Sequence, residues 1–421
     1  MKRPTYRKYS TDELMETLDV FNVSAQSRDK IRRILETDPV VPDAGNFFRY
    51  YNDKSKAIEF EQAYAAKVSA QHALAVNSGT SALIAALMAV GVAPGDEVIV
   101  PAYTFFASVS AIVVARGIPV IVDIDESLTL DPEAVRAAIT PRTKAIMPVH
   151  MIGHPCQMDA INDIASEHNL FVIEDTAQAC GGKYKGKYLG TWGDFGCVSL
   201  DAYKVIGSGE GGILTTDDEW LYTRAQSYHD TAACWRPDRY ARERKEGELF
   251  CGENYRMPEL CAAVALAQLR KLDDINNRTR TVYHQLRNEI QLPDGAQWVE
   301  PHDSDGVCGY TLGILFASRE DAMKAADIGI GGLAKKDTKG ARDWHVYWNW
   351  EHILEQKTVT EEGCPFTCSH VKELPNYSPD MCPRTKDIML RLGTIGINPT
   401  DTPEWASAFA EQINDGFAKL F

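Results

Sequence analysis

At 421 residues the chain is too long for one ordinary compact domain and suits two or three. Hydrophobic residues make up 44% and charged residues 24%, the balance of a globular protein able to bury large cores. A net charge of −15 excludes a general nucleic-acid binder, because nothing would draw such a chain to phosphate backbones.

The opening MKRPTYRKYSTDELMETLDV has basic residues but neither an apolar stretch nor a small-residue cleavage site, so no secretory signal is expected. Residues 1–30 read as an N-terminal helical arm, Asn46 to Asn52 as an aromatic, non-periodic loop, and Ala57 to Val68 as a helix. Strands are then predicted at Glu97–Pro101, Pro119–Asp123, Lys144–Val149, Phe171–Glu174, Gly196–Ser199 and Gly212–Thr215. Helices fit between them at Ser81–Val90, Ala107–Ala115, Pro132–Ala138 and Met158–His168. This alternation predicts an α/β fold with a mostly parallel sheet flanked by helices, and ligands beyond the carboxyl ends of its strands. The longest apolar stretches, such as Ala82 to Val92, are too short to span a bilayer.

One continuous helical pattern runs from Pro258 to about Thr281 and leaves a large domain of residues 31–281. Residues 282–421 read as a smaller α+β domain, with a strand at Thr311–Phe316. Ten cysteines scattered along so long a chain suggest reduced thiols in a cytoplasmic protein. Cys364, Cys368, His370 and Cys382 lie close in sequence but lack the paired C-x2-C knuckles of a zinc site, so no metal is expected.

Chemistry concentrates at four places. The apolar strand in Val172-Ile-Glu-Asp-Thr-Ala-Gln-Ala179 ends in carboxylates, which alone would pass for a helix cap. In Ser199-Leu-Asp-Ala-Tyr-Lys204 a lysine follows a strand and precedes a glycine-rich loop, which alone would pass for a surface lysine. Asn77-Ser-Gly-Thr-Ser-Ala82 opens a helix, where free backbone N–H groups bind phosphate. Pro101-Ala-Tyr-Thr-Phe-Phe106 offers aromatic rings at a strand end. Together these meet the needs of pyridoxal phosphate (PLP): an amine for a Schiff base, an acid to keep the pyridine nitrogen protonated, a phosphate cup and a ring to stack on.

The chain resembles the DegT/DnrJ/StrS family of sugar aminotransferases, within the fold-type I PLP enzymes. From about Ile58 to Leu269 the family's landmarks occur in order: EFEQAYA, NSGTSAL, GDEVIVPAYTFFAS, PVIVDID, VHMIGHP, VIEDTAQA, GDFGCVSLDAYK, GEGG and GENYRM. The resemblance implies that Lys204 binds the cofactor and shuttles the proton, while Asp175 pairs with the pyridinium nitrogen. It further implies Gln178 on the phenolic oxygen, Gly79, Thr80 and Ser199 on the phosphate, and Phe105 stacked on the ring. Asn254 would reach the neighbouring subunit's phosphate, making a homodimer with shared active sites.

Two departures bear on function. Val205 stands where the family usually has Asn, which removes a polar contact and leaves the lysine untouched. A branch that dehydrates sugars carries His in place of the lysine; retention of Lys204 favours transamination. Lys204, Asp175 and Gln178 together also argue against a catalytically silent regulatory protein. The implied partners are an amino-acid donor, glutamate in the first place, and a keto-sugar acceptor. The FRYY and HVYWNW segments resemble the branch that makes 8-amino-3,8-dideoxy-manno-octulosonate for lipopolysaccharide, with keto cyclitols and nucleotide-linked keto sugars as alternatives. Arg49, Arg256, His345 and Trp350 are the substrate-contact candidates, and each could equally be structural.

Overall fold

The computed structural model describes residues 10–38, 55–232, 242–338, 340 and 342–421. Its strands in chain order are β1 (His72–Val76), β2 (Glu97–Pro101), β3 (Ile118–Val122), β4 (Thr143–Ile146), β5 (Phe171–Asp175), β6 (Lys183–Tyr184), β7 (Lys187–Tyr188), β8 (Phe195–Ser199) and β9 (Gly212–Thr216). They continue with β10 (Gln297–Trp298), β11 (Thr311–Leu315), β12 (Gly331–Gly332) and β13 (Leu392–Gly396). The large sheet has the order β1-β9-β8-β5-β4-β2-β3. Pairing is parallel from β8 through to β3, and β9 runs antiparallel to both its neighbours. This is the mostly parallel α/β sheet that the alternating pattern predicts.

Both faces of the sheet are covered, so alternate residues of one strand enter different cores. Leu74 and Val76 of β1 join Val98, Val100, Phe195 and Leu214 beneath the helix Gly79–Ala89, which adds Ala82, Leu83, Ala86 and Leu87. Ala73 and Ala75 face the other way, with Val198 and Ile213, onto Phe60 and Tyr64 of the helix Lys56–Val68 and Leu266 of the helix Glu259–Leu269. Each fully buried Leu or Phe here contributes about 1.5–3 kcal/mol. Truncating Leu87, which has no exposed surface, to Ala would cost about 2–5 kcal/mol.

Three sequence expectations are corrected. The strand β1 was not predicted, because His-Ala-Leu-Ala-Val is rich in a strong helix former; pairing with β9 along its whole length overrides that propensity. The helical pattern from Pro258 to Thr281 is two helices, Glu259–Leu269 and Leu272–Glu289, broken at Arg270–Lys271. The break hands the chain from one core to another: Leu266 packs under the large sheet, while Val282, Tyr283 and Leu286 pack on the small one. Finally, Cys364 and Cys368 are joined as a disulfide, so not all the cysteines are free thiols. A turn brings their Cα atoms to 5.0 Å, within bridging range. Cys382 is buried apart from them, its thiol against Ile121 O at 3.7 Å.

The small sheet, β10-β11-β13-β12, is antiparallel. The helices Leu272–Glu289 and Pro403–Leu420 cover it, with Ile314, Phe316, Ile395, Ile413 and Phe417 in its core. At the other end of the chain lie the helices Thr11–Val20 and Ala25–Thr37, the first opened by a Ser10–Glu13 capping box. Among the described residues no helix is long and apolar enough to cross a membrane.

Candidate active site

The carboxyl ends of β1, β2, β5 and β8 converge on one cavity of about 430 Å3. Gly79, Thr80, Phe105, Asp175, Gln178, Ser199, Lys204 and His345 all line it. Its position is the one a doubly wound sheet offers to ligands.

Asp175 closes β5 and is only 4% exposed. Strand alternation sends the preceding Glu174 to the opposite side. There Glu174 accepts the N–H groups of Gly190, Trp192 and Gly193 at 2.7–2.8 Å and His150 Nε2 at 3.0 Å. Because Cys156 N–H donates to His150 Nδ1, the ring's proton sits on Nε2, toward Glu174. Glu174 is thereby spent on the fold, and Asp175 is the carboxylate that faces the cavity. Its oxygens accept Ser108 Oγ at 2.7 Å and Ala177 N–H at 3.0 Å. Burial pushes the Asp175 carboxyl above the ordinary range, against the pull of those two donors and of Lys204. A cation bound beside it would relieve that penalty, which suits a protonated pyridine nitrogen.

The phosphate cup is made by close backbone approach. Ser78 caps the helix Gly79–Ala89 by accepting Ser81 N–H, and among the described residues the Gly79 and Thr80 N–H groups have no acceptor. A Cβ on Gly79 would stand 2.7 Å from Ser199 Cβ, so only glycine lets the hydroxyl at the end of β8 stand beside the helix start. Free N–H groups, a helix N-terminus and a hydroxyl form an anion site. Gly212 is constrained likewise, since a Cβ there would lie 2.4 Å from Ser78 O.

Lys204 sits in the loop between β8 and β9, its backbone N–H bonded to Asp201 O, and its Nζ has no hydrogen-bond acceptor among the described residues. Gln178 Oε1 accepts Ile152 N–H at 3.0 Å, which leaves the Gln178 NH2 group as donor. That N–H is aimed by Ile152 in a left-handed conformation (φ 50°), strained for a β-branched residue. Phe105 is 46% exposed and presents its ring to the cavity.

The substrate candidates divide. His345 lines the cavity, its ring centroid 5.3 Å from that of Phe105. Trp350 does not line it: the ring has no exposed surface and its Nε1 donates to Trp344 O at 2.9 Å. Arg256 is ion-paired with the buried Asp230 and is also outside the lining. Both follow from local packing that spacing alone cannot reveal. Asn254 is exposed, bridged through its backbone to Asp230, and outside the cavity of its own chain. Arg49 lies outside the described residues. Ser108 and Tyr310 were not anticipated. Ser108 stands within the PAYTFFAS segment, whereas Tyr310, which donates to Gln178 O at 2.8 Å, has no local signal.

A sheet-edge cavity with a free lysine, a buried carboxylate and a phosphate cup defines a PLP enzyme of the α/β class. The DegT/DnrJ/EryC1/StrS aminotransferase family model matches residues 46–333, and the chain belongs to that family. Pyridoxal phosphate is the family's cofactor, and the residues present fit it. The chain is 44% identical over 225 residues to the GDP-perosamine synthase of Escherichia coli O157:H7, covering 53% of this chain and 60% of that one. It is 41% identical over 276 residues to the spore coat polysaccharide biosynthesis protein SpsC of Bacillus subtilis strain 168, covering 63% and 69%. The match thus spans about three-fifths of the length of the perosamine synthase. The solved structure of S. venezuelae DesV superposes with a TM-score of 0.68 at 28% identity, covering 93% of this chain and 94% of that one.

Proposed function

We propose that the protein transfers an amino group from an amino acid, glutamate in the first place, to the carbonyl carbon of a keto sugar. The observation that carries this is the meeting of Lys204, Asp175, Gln178 and the Gly79–Thr80–Ser199 cup in one cavity. Bound pyridoxal phosphate supplies an electrophilic carbon for amines and a ring that takes up electrons. Lys204 holds the cofactor through its amine and then moves the proton at the substrate carbon. Asp175 keeps the ring nitrogen protonated, Gln178 donates to the phenolic oxygen, and Phe105 bears the ring. Asn254 completes the phosphate site of a partner subunit in a homodimer, and the protein works in the cytoplasm.

For the acceptor, the FRYY and HVYWNW segments support the 8-keto form of 3-deoxy-manno-octulosonate, giving the 8-amino sugar of lipopolysaccharide. The likeness to GDP-perosamine synthase supports a second reading, a nucleotide-linked keto sugar. The test incubates the PLP-loaded protein with glutamate, follows the change in the cofactor's visible absorption, and then adds each acceptor in turn. Recovery of the original absorption with an amino sugar of matching mass supports the reading. No spectral change with any amino donor overturns it.

A further inference from the structure

The cofactor cavity shares Met151, Gln178 and His345 as walls with a neighbouring pocket of about 270 Å3 that is lined by Gly332 of β12 and by Leu392 and Thr394 of β13. His345 stands at the junction, and its place is set by backbone. The chain around it runs antiparallel to the segment after β2: Thr104 N–H donates to His345 O at 3.0 Å, Phe106 N–H to Trp344 O at 3.1 Å, and Tyr347 N–H to Ala102 O at 3.1 Å. Tyr103 and Val346 form the bridge between them. This ladder ties the His345 ring to the Phe105 ring although the two residues are distant in sequence.

The orientation of the imidazole is set by Asp343. His345 Nδ1 lies 2.8 Å from Asp343 Oδ1, and the same oxygen accepts His345 N–H at 3.0 Å. The two bonds from His345 hold the Asp343 carboxyl down at about 2, so it is ionised and can only accept. The ring proton therefore sits on Nδ1. Asp343 is itself anchored, with its backbone oxygen taking Asn349 Nδ2 at 3.0 Å and its second carboxylate oxygen 3.5 Å from Lys336 Nζ. The remaining ring atom, Nε2, has no partner among the described residues and is an acceptor at the cavity wall.

We propose that Asp343 is a positioning residue for the acceptor: it holds His345 so that Nε2 takes a hydrogen bond from a hydroxyl of the keto sugar beside the ring borne by Phe105. The proposal rests on the sugar-transfer reading above and deepens it. It specifies a polyol acceptor bonded next to its carbonyl, and a residue pair that the amino-acid donor does not need.

The test uses Asp343→Asn, His345→Asn and the double variant. In the cofactor-free protein, nitrogen-15 NMR of the imidazoles reads the tautomer, with the His345 signal identified by its loss in His345→Asn. The wild type should show the proton on Nδ1, and Asp343→Asn should lose that preference. In the PLP-loaded enzyme, the glutamate half-reaction of every variant should fall at least several-fold less than its sugar half-reaction. The kcat/KM of the sugar half-reaction should fall at least about tenfold in each single variant, the size of one well-made hydrogen bond. The double variant should lose no more than His345→Asn alone. Equal loss in both half-reactions, additive losses in the double variant, or an unchanged tautomer in Asp343→Asn would overturn the proposal. A wild-type enzyme that accepts glutamate's amino group but passes it to no keto sugar overturns the functional reading instead, and does so before any variant is made.

Discussion

The two ends of the active site are built differently. At the cofactor end every group stands at or just past a strand end: Gly79 and Thr80 after β1, Phe105 after β2, Asp175 on β5, Ser199 on β8. The parallel sheet aligns those ends, so each short motif carries its own placement. At the end proposed to take the acceptor, His345 is held at the cavity by a ladder to residues 102–106, and Tyr310 meets Gln178 across 132 positions of chain. The first end is rigid because a sheet is rigid. The second depends on contacts between separate segments: the ladder to residues 102–106 for His345 and the bond to Gln178 for Tyr310.

That contrast can be broken by experiment. Lys204→Ala should abolish turnover in both half-reactions, because no other amine among the described residues lines the cavity, while phosphate and ring contacts still bind PLP. Equilibrium dialysis beside an activity assay checks both parts; near wild-type turnover would remove Lys204 from its role.

Asp175→Asn should slow the glutamate half-reaction by several orders of magnitude with PLP still bound. Its effect on the cofactor-free fold has the opposite sign. Burial raises the folded carboxyl above its unfolded value, so the folded state holds the proton more tightly. The stability it contributes is present at low pH and is lost as pH rises from the ordinary Asp range through the folded value. The cofactor-free variant should therefore melt no lower than wild type at neutral pH, with the difference growing from acid to neutral. Melting curves across that range decide it; a variant that melts clearly lower at neutral pH would mean that Asp175 supports the fold.

Gly79→Ala should weaken the phosphate cup by forcing Ser199 aside, with a loss of about 1–3 kcal/mol in stability from overpacking. PLP affinity should fall more than tenfold, read by fluorescence titration. For Asn254, mixing Asn254→Ala with Lys204→Ala should recover activity on subunit exchange, since one site of a mixed dimer escapes both defects. No recovery despite proven exchange would place Asn254 in its own chain's site.

The smallest effect is expected for Tyr310→Phe, which removes one hydroxyl from Gln178 O across the boundary between the ends. A neutral hydrogen bond is worth about 0.5–1.5 kcal/mol, so both half-reactions should slow by less than about tenfold. A larger loss confined to the sugar half-reaction would show that Tyr310 belongs to the acceptor end.

The sequence by itself determined the alternating α/β layout, because apolar strands and helices of the large unit repeat at short range. It also marked the four segments where cofactor chemistry concentrates, because each is a strand end, a glycine-rich turn or a helix start; the role of each residue in them was what the family resemblance implied. The tertiary structure decided which of Glu174 and Asp175 faces the cavity, since strand alternation and the Gly190–Gly193 loop claim one of them. It alone made β1 a strand, by pairing with β9, and broke the long helical pattern at Arg270–Lys271, where the chain passes between two cores. It alone took Trp350 and Arg256 away from the cavity and left His345 beside Asp343. The pairing of β1 with β9 and the passage between two cores depend on contacts between residues far apart in the chain, and the others on local packing; neither leaves a period or spacing to read.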